Sequence, residues 1–533
     1  SIWNGTGNID VDPMFVDTAN GNYHLLASSQ LINAGHPDST DSDGTIADIG
    51  AYPYLNSYSG PTWYVQTEGN DTDGTGASAT PFASIQSGIN FSSDDDSVAV
   101  AAGTYVENIN FRGRNIKVVG ADTSNTIIDG GYSGTVVIID YNENSTTLLK
   151  NFKIQNGYDL TGNLAGGIFC SEGTNPTLTN LVISNNSVNN PESDRAGGIS
   201  INLASGDSLV MKNVTIANNS TVWWGGGLHI SGSSLGFASL SNVIVKNNSA
   251  NFAGGVFLEN ISANFDGVLV DNNISDEAYG AGLYINNATV NIDNSTISNN
   301  SAGTIDYQNS HGGGIYAVNS SFIIENSILS GNTATGNGGG IIANGSQFHI
   351  KNTTIINNLT EQFGGGIYLG GASQGSTIEG SIISNNEAQD ESSYGGGGGI
   401  NCDGGAILSI SKTEVTGNSG GGIFACCGSN LTVDRVTVSG NTTNTNIADG
   451  LYLSGSESVN VFINNSSFSG NGSKDISFNT IMDQIHTLTI DYSNIEGGQD
   501  SIDVNGHTLN LGSGNIDVAP VFVDTANGNY HLL

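Results

Sequence analysis

Residues Gly280–Asn300 read GAGLYINNATVNIDNSTISNN. Small residues lead into Leu283 and Ile285, and aliphatics return at Ile292 and Ile297. Apolar residues two apart mark strands with one buried side. Gly, β-branched residues and Asn all disfavour helix.

Both halves of this stretch recur. The glycine-rich signal with its aliphatic appears eleven times, from Ile168 to Leu451, at intervals of 23 to 33 residues. The second half follows each time and ends on Asn186, Asn219, Asn248, Asn273, Asn300, Asn332, Asn358, Asn386, Asn418, Asn441 or Asn471. Strands at a fixed period stack into parallel sheets along a coil axis. The Asn column then reads as a structural ladder, since an amide has donors and an acceptor and stacked amides bond one another. Asn also tolerates the left-handed conformation of a sharp corner. The Gly runs are expected to turn the backbone at another corner. The expected fold is all-β, a right-handed parallel β-helix solenoid of about 13–15 coils.

The alternation of the two signals over about residues 133–475 resembles the repeats of polymorphic outer-membrane-protein-like and pectate-lyase-like β-helices. Residues 57–132 contain Trp63-Tyr64-Val65, Pro81-Phe82-Ala83-Ser84-Ile85-Gln86 and Ala102–Asn108. They resemble the opening segment of secreted β-helix proteins, which implies first coils and a short amphipathic capping helix near Phe82–Phe91. Residues 1–56, through Asp48-Ile49-Gly50-Ala51-Tyr52, resemble the closing segment of secreted, surface-anchored β-helix proteins. Residues 476–533 are expected to hold the last coils and the start of another closing segment.

A terminal duplication supports that division. Gly7–Leu26 reads GNIDVDPMFVDTANGNYHLL, and Gly514–Leu533 reads GNIDVAPVFVDTANGNYHLL. They differ only at Asp12/Ala519 and Met14/Val521, across an offset of 507 residues. The expected partner is a copy of the chain itself, end to end, in a tandem or polymeric array.

The 533 residues include 75 Gly, 12 Lys plus Arg and 49 Asp plus Glu, for a net charge of −37. That excess excludes nucleic acid and anionic membrane surfaces, which need basic patches. No run of 18 apolar residues offers a membrane span. Ser1-Ile2-Trp3-Asn4 has no signal-peptide form, so a signal has been removed or the chain is an excerpt. An extracellular or cell-surface location is expected. Asn-x-Ser/Thr triplets such as Asn294-Ser295-Thr296 arise from the repeat and become glycosylation sites only on a glycosylating route.

Four cysteines are too few for a disulfide scaffold. Cys170 and Cys402 fit the strand as small core residues. Cys402 and Cys426 lie about one coil apart and could be bridged, as could Cys426 and Cys427.

No catalytic constellation stands out, and no catalytic residue is named. The basic residues do not stack on adjacent coils except Lys412 and Arg435, which replace Asn, with Glu414 nearby as an ion-pair partner. No cofactor is required. Calcium is a candidate at Asp38, Asp41 and Asp43, which precede Gly44, and at Asp71 and Asp73, which precede Gly74.

The residue after each glycine-signal aliphatic is expected to point outward. Phe169, Phe257, Tyr284, Tyr316, Tyr368, Phe424 and Tyr452 occupy this place, with His229 interposed. Trp223, Trp224, Phe252, Tyr279, Phe363 and Tyr394 precede Gly runs. Together they predict an exposed aromatic stripe beside variable loops such as Ser301–His311, for a glycan or protein partner. The expected function is an extracellular structural or adhesive surface protein, one tandem β-helix unit of a fibre, stalk or sheath. The alternative is a secreted polysaccharide-binding protein, or a polysaccharide lyase or glycoside hydrolase acting along the aromatic face.

Overall fold

The computed structural model describes residues 8–9, 11–159, 164–190, 195–233, 235–277, 279–303, 310–371, 375–390, 396–443, 449–472, 474–479, 484–525 and 529–533. The chain forms two compact units, Ser1–Ser220 with Leu235–Ser239, and Thr221–Ser234 with Leu240–Leu533. The fold is a right-handed parallel β-solenoid with about 13 turns in the chain.

One turn of the second unit shows how it is built. Leu283–Asn286 pairs in register with Val256–Glu259 and Ile315–Val318. Thr289–Asp293, Thr296–Ser298 and Ser301–Ala302 likewise lie between their counterparts one turn away. Leu283, Ile285, Val290, Ile292 and Ile297 face inward and are at most 2% exposed. Burying each such side chain contributes about 1.5–3 kcal/mol.

The corners use left-handed residues: Asn287, Asn294 and Asn299 have φ of +49°, +49° and +54°. Asn300 turns inward instead. Its side-chain amide donates to Asn332 Oδ1 at 2.9 Å and to the Val270 carbonyl at 3.0 Å, and its backbone N–H donates to Asn332 Oδ1 at 3.1 Å. The two tasks assigned above to one Asn are therefore divided. The first Asn of each pair makes the corner and the second makes the ladder. In the second unit this pattern links Asn248, Asn273, Asn300, Asn332, Asn358, Asn386, Asn418, Asn441 and Asn471. It ends where Asn471 donates to Asp475 Oδ1 at 2.8 Å. The first unit links Asn186 to Asn219. A second buried ladder joins Ser295, Ser327, Thr353, Ser381 and Thr413.

The Gly run also divides its labour. Gly280, at φ +63°, makes a turn. Gly282 lets backbones close up, because a Cβ there would meet the Gly314 carbonyl oxygen at 2.5 Å and Asn300 Nδ2 at 2.9 Å.

In the first unit helix α1 spans Ile85–Phe91 and all seven residues are buried. The expected short helix is present, but it shows no solvent face, because residues 27–33 pack on it. Asn90 Nδ2 donates to the Ala27 and Ser29 carbonyls at 2.9 and 2.8 Å, and the Arg112 guanidinium reaches the Ile32 carbonyl at 3.2 Å.

The duplicated segments form the same antiparallel hairpin twice. Phe15 pairs with Leu25 and Asp17 with Asn22 in the first unit. Phe522 pairs with Leu532 and Asp524 with Asn529 in the second. Cys426 and Cys427 form a disulfide, while Cys170 and Cys402 are buried thiols.

Candidate functional site

The outward aromatic column of the second unit is buried. Phe257, Tyr284 and Tyr316 are 4%, 9% and 7% exposed. They form a second apolar core with Ala253 and Ile342, outside the coil. Trp224 lies over Phe257 at 4.8 Å and Phe252 at 4.5 Å, Phe257 contacts Tyr284 at 5.1 Å, and Tyr279 covers Tyr316 at 4.6 Å. Burial pushes the Tyr284 and Tyr316 phenols up to about 12. The expectation of an exposed stripe thus fails for these residues. Alternation along the strand does turn the rings away from the coil interior. Rings from the neighbouring loops then cover them.

The rest of that column behaves alike. Phe169 in the first unit is buried, with the Arg195 guanidinium 5.4 Å from its ring centre. His229 is buried edge-on to Phe257. Phe424 and Tyr452 are buried as a separate stack 5.6 Å apart. Tyr368 is half-buried and donates from Oη to Asp403 Oδ2 at 2.8 Å. Trp223, Trp224, Phe252, Tyr279 and Phe363 are half-buried. Trp223 stacks on Phe252 at 5.3 Å, which occupies ring faces a sugar would need. Tyr394 and residues 304–309 of the Ser301–His311 loop lie outside the described residues.

The acidic turns bond their own backbone. Asp41 Oδ2 accepts the Asp48 N–H at 2.9 Å, and Asp43 Oδ1 and Oδ2 accept from Thr45 and Asn56. Asp71 Oδ1 accepts from Ala83 and Ser84. Asp38 is exposed, and Asp73 lies beside the first hairpin. Among the described residues, one group of three His, Cys, Asp or Glu brings its ligand atoms within 4.8 Å of one another: Asp403, Cys426 and Cys427.

Lys412 and Arg435 occupy the left-handed corner, at φ +49° and +55°. Lys412 pairs with Glu379 at 2.6 Å and Arg435 with Asp434 at 2.7 Å. The register explains this, because Glu379, Ser411 and Asp434 form one outward row beside the corner.

An open groove of about 800 Å³ lies further along this face. The strands Asn460–Asn464 and Thr487–Asp491 form its floor, with Phe462 opposite Thr489 and Asn464 opposite Asp491. Phe462 is 53% and Tyr492 61% exposed. Between them lie Asn464, Asn465, Thr489, Asp491 and Ser513. Asn465 reaches back to the preceding rung and donates to Asp434 Oδ1 at 2.9 Å, while the Arg435 guanidinium holds Oδ2. The Asn465 amide, with Arg435, keeps the Asp434 carboxyl below the usual carboxylate range. Arg435, on the rung before the groove, is thus already paired. The groove offers two apolar ring faces, amides, hydroxyls and the Asp491 carboxylate.

Sequence reasoning overlooked Phe462 and Tyr492, although a signal existed. Tyr492 has φ +46° at the corner where most turns place Asn or Gly and two place Lys412 and Arg435. A bulky residue at positive φ is uncommon and strained.

Residues 254–435 match the family described as right-handed beta helix regions. No curated protein matches the chain. Among solved structures the chain is similar to the mannuronan C-5 epimerase AlgE6 A-module of Azotobacter vinelandii, at 10% identity over 80% of this chain and 92% of that one, with a TM-score of 0.29. The GH136 lacto-N-biosidase of Eubacterium ramulus matches at 9% identity over 86% and 68%, with a TM-score of 0.28. The Siphovirus 9NA tailspike receptor binding domain matches at 12% over 83% and 79%, with a TM-score of 0.21. Likeness at this level carries no argument about activity. What the chain shares with the family it matches is the right-handed parallel β-solenoid.

Proposed function

We propose that this protein is an extracellular carbohydrate-binding β-solenoid whose glycan site is the groove between Phe462 and Tyr492. One observation carries the reading: two exposed aromatic rings flank a strip of amides, hydroxyls and one carboxylate. Sugar rings offer an apolar face to aromatic rings and hydroxyls to such polar groups. The rungs repeat at about 4.8 Å, so an extended glycan can follow the floor across several turns. The Cys426–Cys427 disulfide fits an oxidising compartment. No catalytic step belongs to this reading, and it requires no calcium at the acidic turns. Affinity electrophoresis in gels containing neutral and acidic polysaccharides tests it. Retardation that disappears in Phe462→Ala and Tyr492→Asn supports the reading; migration unchanged by every glycan overturns it.

A second reading rests on the duplicated hairpin. The two hairpins share sequence and register, yet Val16 is half-buried while its counterpart Val523 is 48% exposed. This favours end-to-end association of copies, as in a fibre or stalk. Sedimentation of the intact chain against one lacking residues 514–533 tests it. Concentration-dependent assembly lost on truncation supports it; a monomer at all concentrations removes it.

A further inference from the structure

A thiol cluster lies on the sheet that carries the buried aromatic column, apart from the groove residues. Ile400–Cys402, Ile423–Cys426 and Leu451–Ser454 are consecutive rungs in the second unit. Cys402 lies opposite Ala425, so Asp403 stands beside Cys426, whose Sγ is 3.1 Å from Asp403 Oδ1. In regular strand the next side chain would point to the other face. Cys427 breaks that alternation with φ +55°, and its sulfur comes back to join that of Cys426.

The surroundings suit an ion. Tyr368 Oη donates to Asp403 Oδ2 at 2.8 Å and orients the carboxylate, leaving Oδ1 toward the sulfurs. An orienting partner of this kind is what a metal-ligating carboxylate needs. Phe424 and Tyr452 wall one flank. Cys426 is buried and Cys427 is half-buried, so access comes from the Cys427 side.

We propose that Asp403, Cys426 and Cys427 form a redox-gated site for a thiophilic divalent cation such as Zn²⁺ or Cd²⁺. With the disulfide closed the sulfurs are spent on each other. An external dithiol opens it: two S–H bonds of the dithiol break, it leaves as its own disulfide, and Cys426 and Cys427 become thiols. On binding the cation the two thiols release their protons to water, and the ion takes two thiolates and one carboxylate. Bonds of about 2.3 Å to sulfur and 2.0–2.2 Å to oxygen leave a fourth tetrahedral position for water. Tetrahedral geometry separates the sulfurs by roughly 3.8 Å, within reach of neighbouring residues whose Cα atoms are 3.8 Å apart. Cys170 and Cys402 are fully buried in the coil interior, so both stay out of the chemistry.

The test is a Zn²⁺ titration of the full chain against a competing chromophoric chelator, before and after reduction with a phosphine. The expected result is one ion per reduced chain and none with the disulfide closed. Cys427→Ser and Asp403→Asn should each weaken uptake at least about tenfold, with Tyr368→Phe weakening it less. Circular dichroism checks that each variant keeps its strands. Three outcomes overturn the proposal: no uptake after reduction, equal uptake by the oxidised chain, or Asp403→Asn binding as tightly as the unaltered protein.

Discussion

Asn332 Oδ1 accepts both the side-chain amide of Asn300, at 2.9 Å, and its backbone N–H, at 3.1 Å. One buried oxygen therefore serves two donors of the turn before, and the relation repeats from rung to rung. Asn332→Ala should leave both donors unsatisfied and cost about 1–3 kcal/mol. Asn332→Asp should cost more, since it buries a charge and loses the amide donors. Urea unfolding of both variants measures this, and a loss below a few tenths of a kcal/mol would show that the ladder is dispensable.

The groove and the aromatic core should separate under mutation. Tyr492→Asn places a corner-tolerant residue at φ +46° and should leave thermal stability unchanged or raised while abolishing glycan retention. Phe462→Ala, at an exposed site, should also lose retention with little change in stability.

Phe257→Ala should do the reverse. The ring is 4% exposed and packed against Trp224, His229 and Tyr284. Its removal should cost about 3–5 kcal/mol, the usual range for a buried aromatic. Folded Phe257→Ala should be retained by glycans as strongly as the unaltered protein. Loss of retention without loss of stability would restore a binding role to the stack.

His486 gives a pH dependence of known sign. Its Nδ1 accepts the Val459 N–H at 3.2 Å, and its ring stacks on His507 at 4.5 Å. Burial, and then the neighbouring His507, lower its pKa to about 4. An unfolded histidine protonates near 6.5. Between those values the unfolded state holds more protons. Stability is thus complete above about pH 6.5 and falls as the pH drops toward 4. Ser320 and Ser346 accept the same type of bond on other rungs, so His486→Ser should flatten the profile. Melting temperatures from pH 4 to 8 test this; parallel curves for both proteins would refute it.

Lys412→Ala removes the 2.6 Å pair with Glu379, but both side chains are substantially exposed. The cost should stay within about 1 kcal/mol. Thermal unfolding checks this, and a larger loss would make the ion pair part of the framework.

The repeat made the strands, their order along the turn and the ladder column legible in the sequence. Leu283, Ile292 and Asn300 occupy phases that only a stacked coil satisfies. The pairs Asn299–Asn300 and Gly280–Gly282 show the limit of that reading. Within each, one residue bends the chain and the other permits close contact across rungs, and both demands favour the same residue type. The sequence by itself also determined the hairpins, because two copies of one segment at Phe15–Leu25 and Phe522–Leu532 took the same register. The fate of the outward rings was decided only by the tertiary structure. Period-2 alternation says that Phe257 and Phe462 leave the coil interior, but not what waits outside. Phe257 meets Trp224 and is buried, whereas Phe462 stays 53% exposed and lines the groove beside Tyr492. Burial depends on neighbours from other turns, and no local pattern contains them.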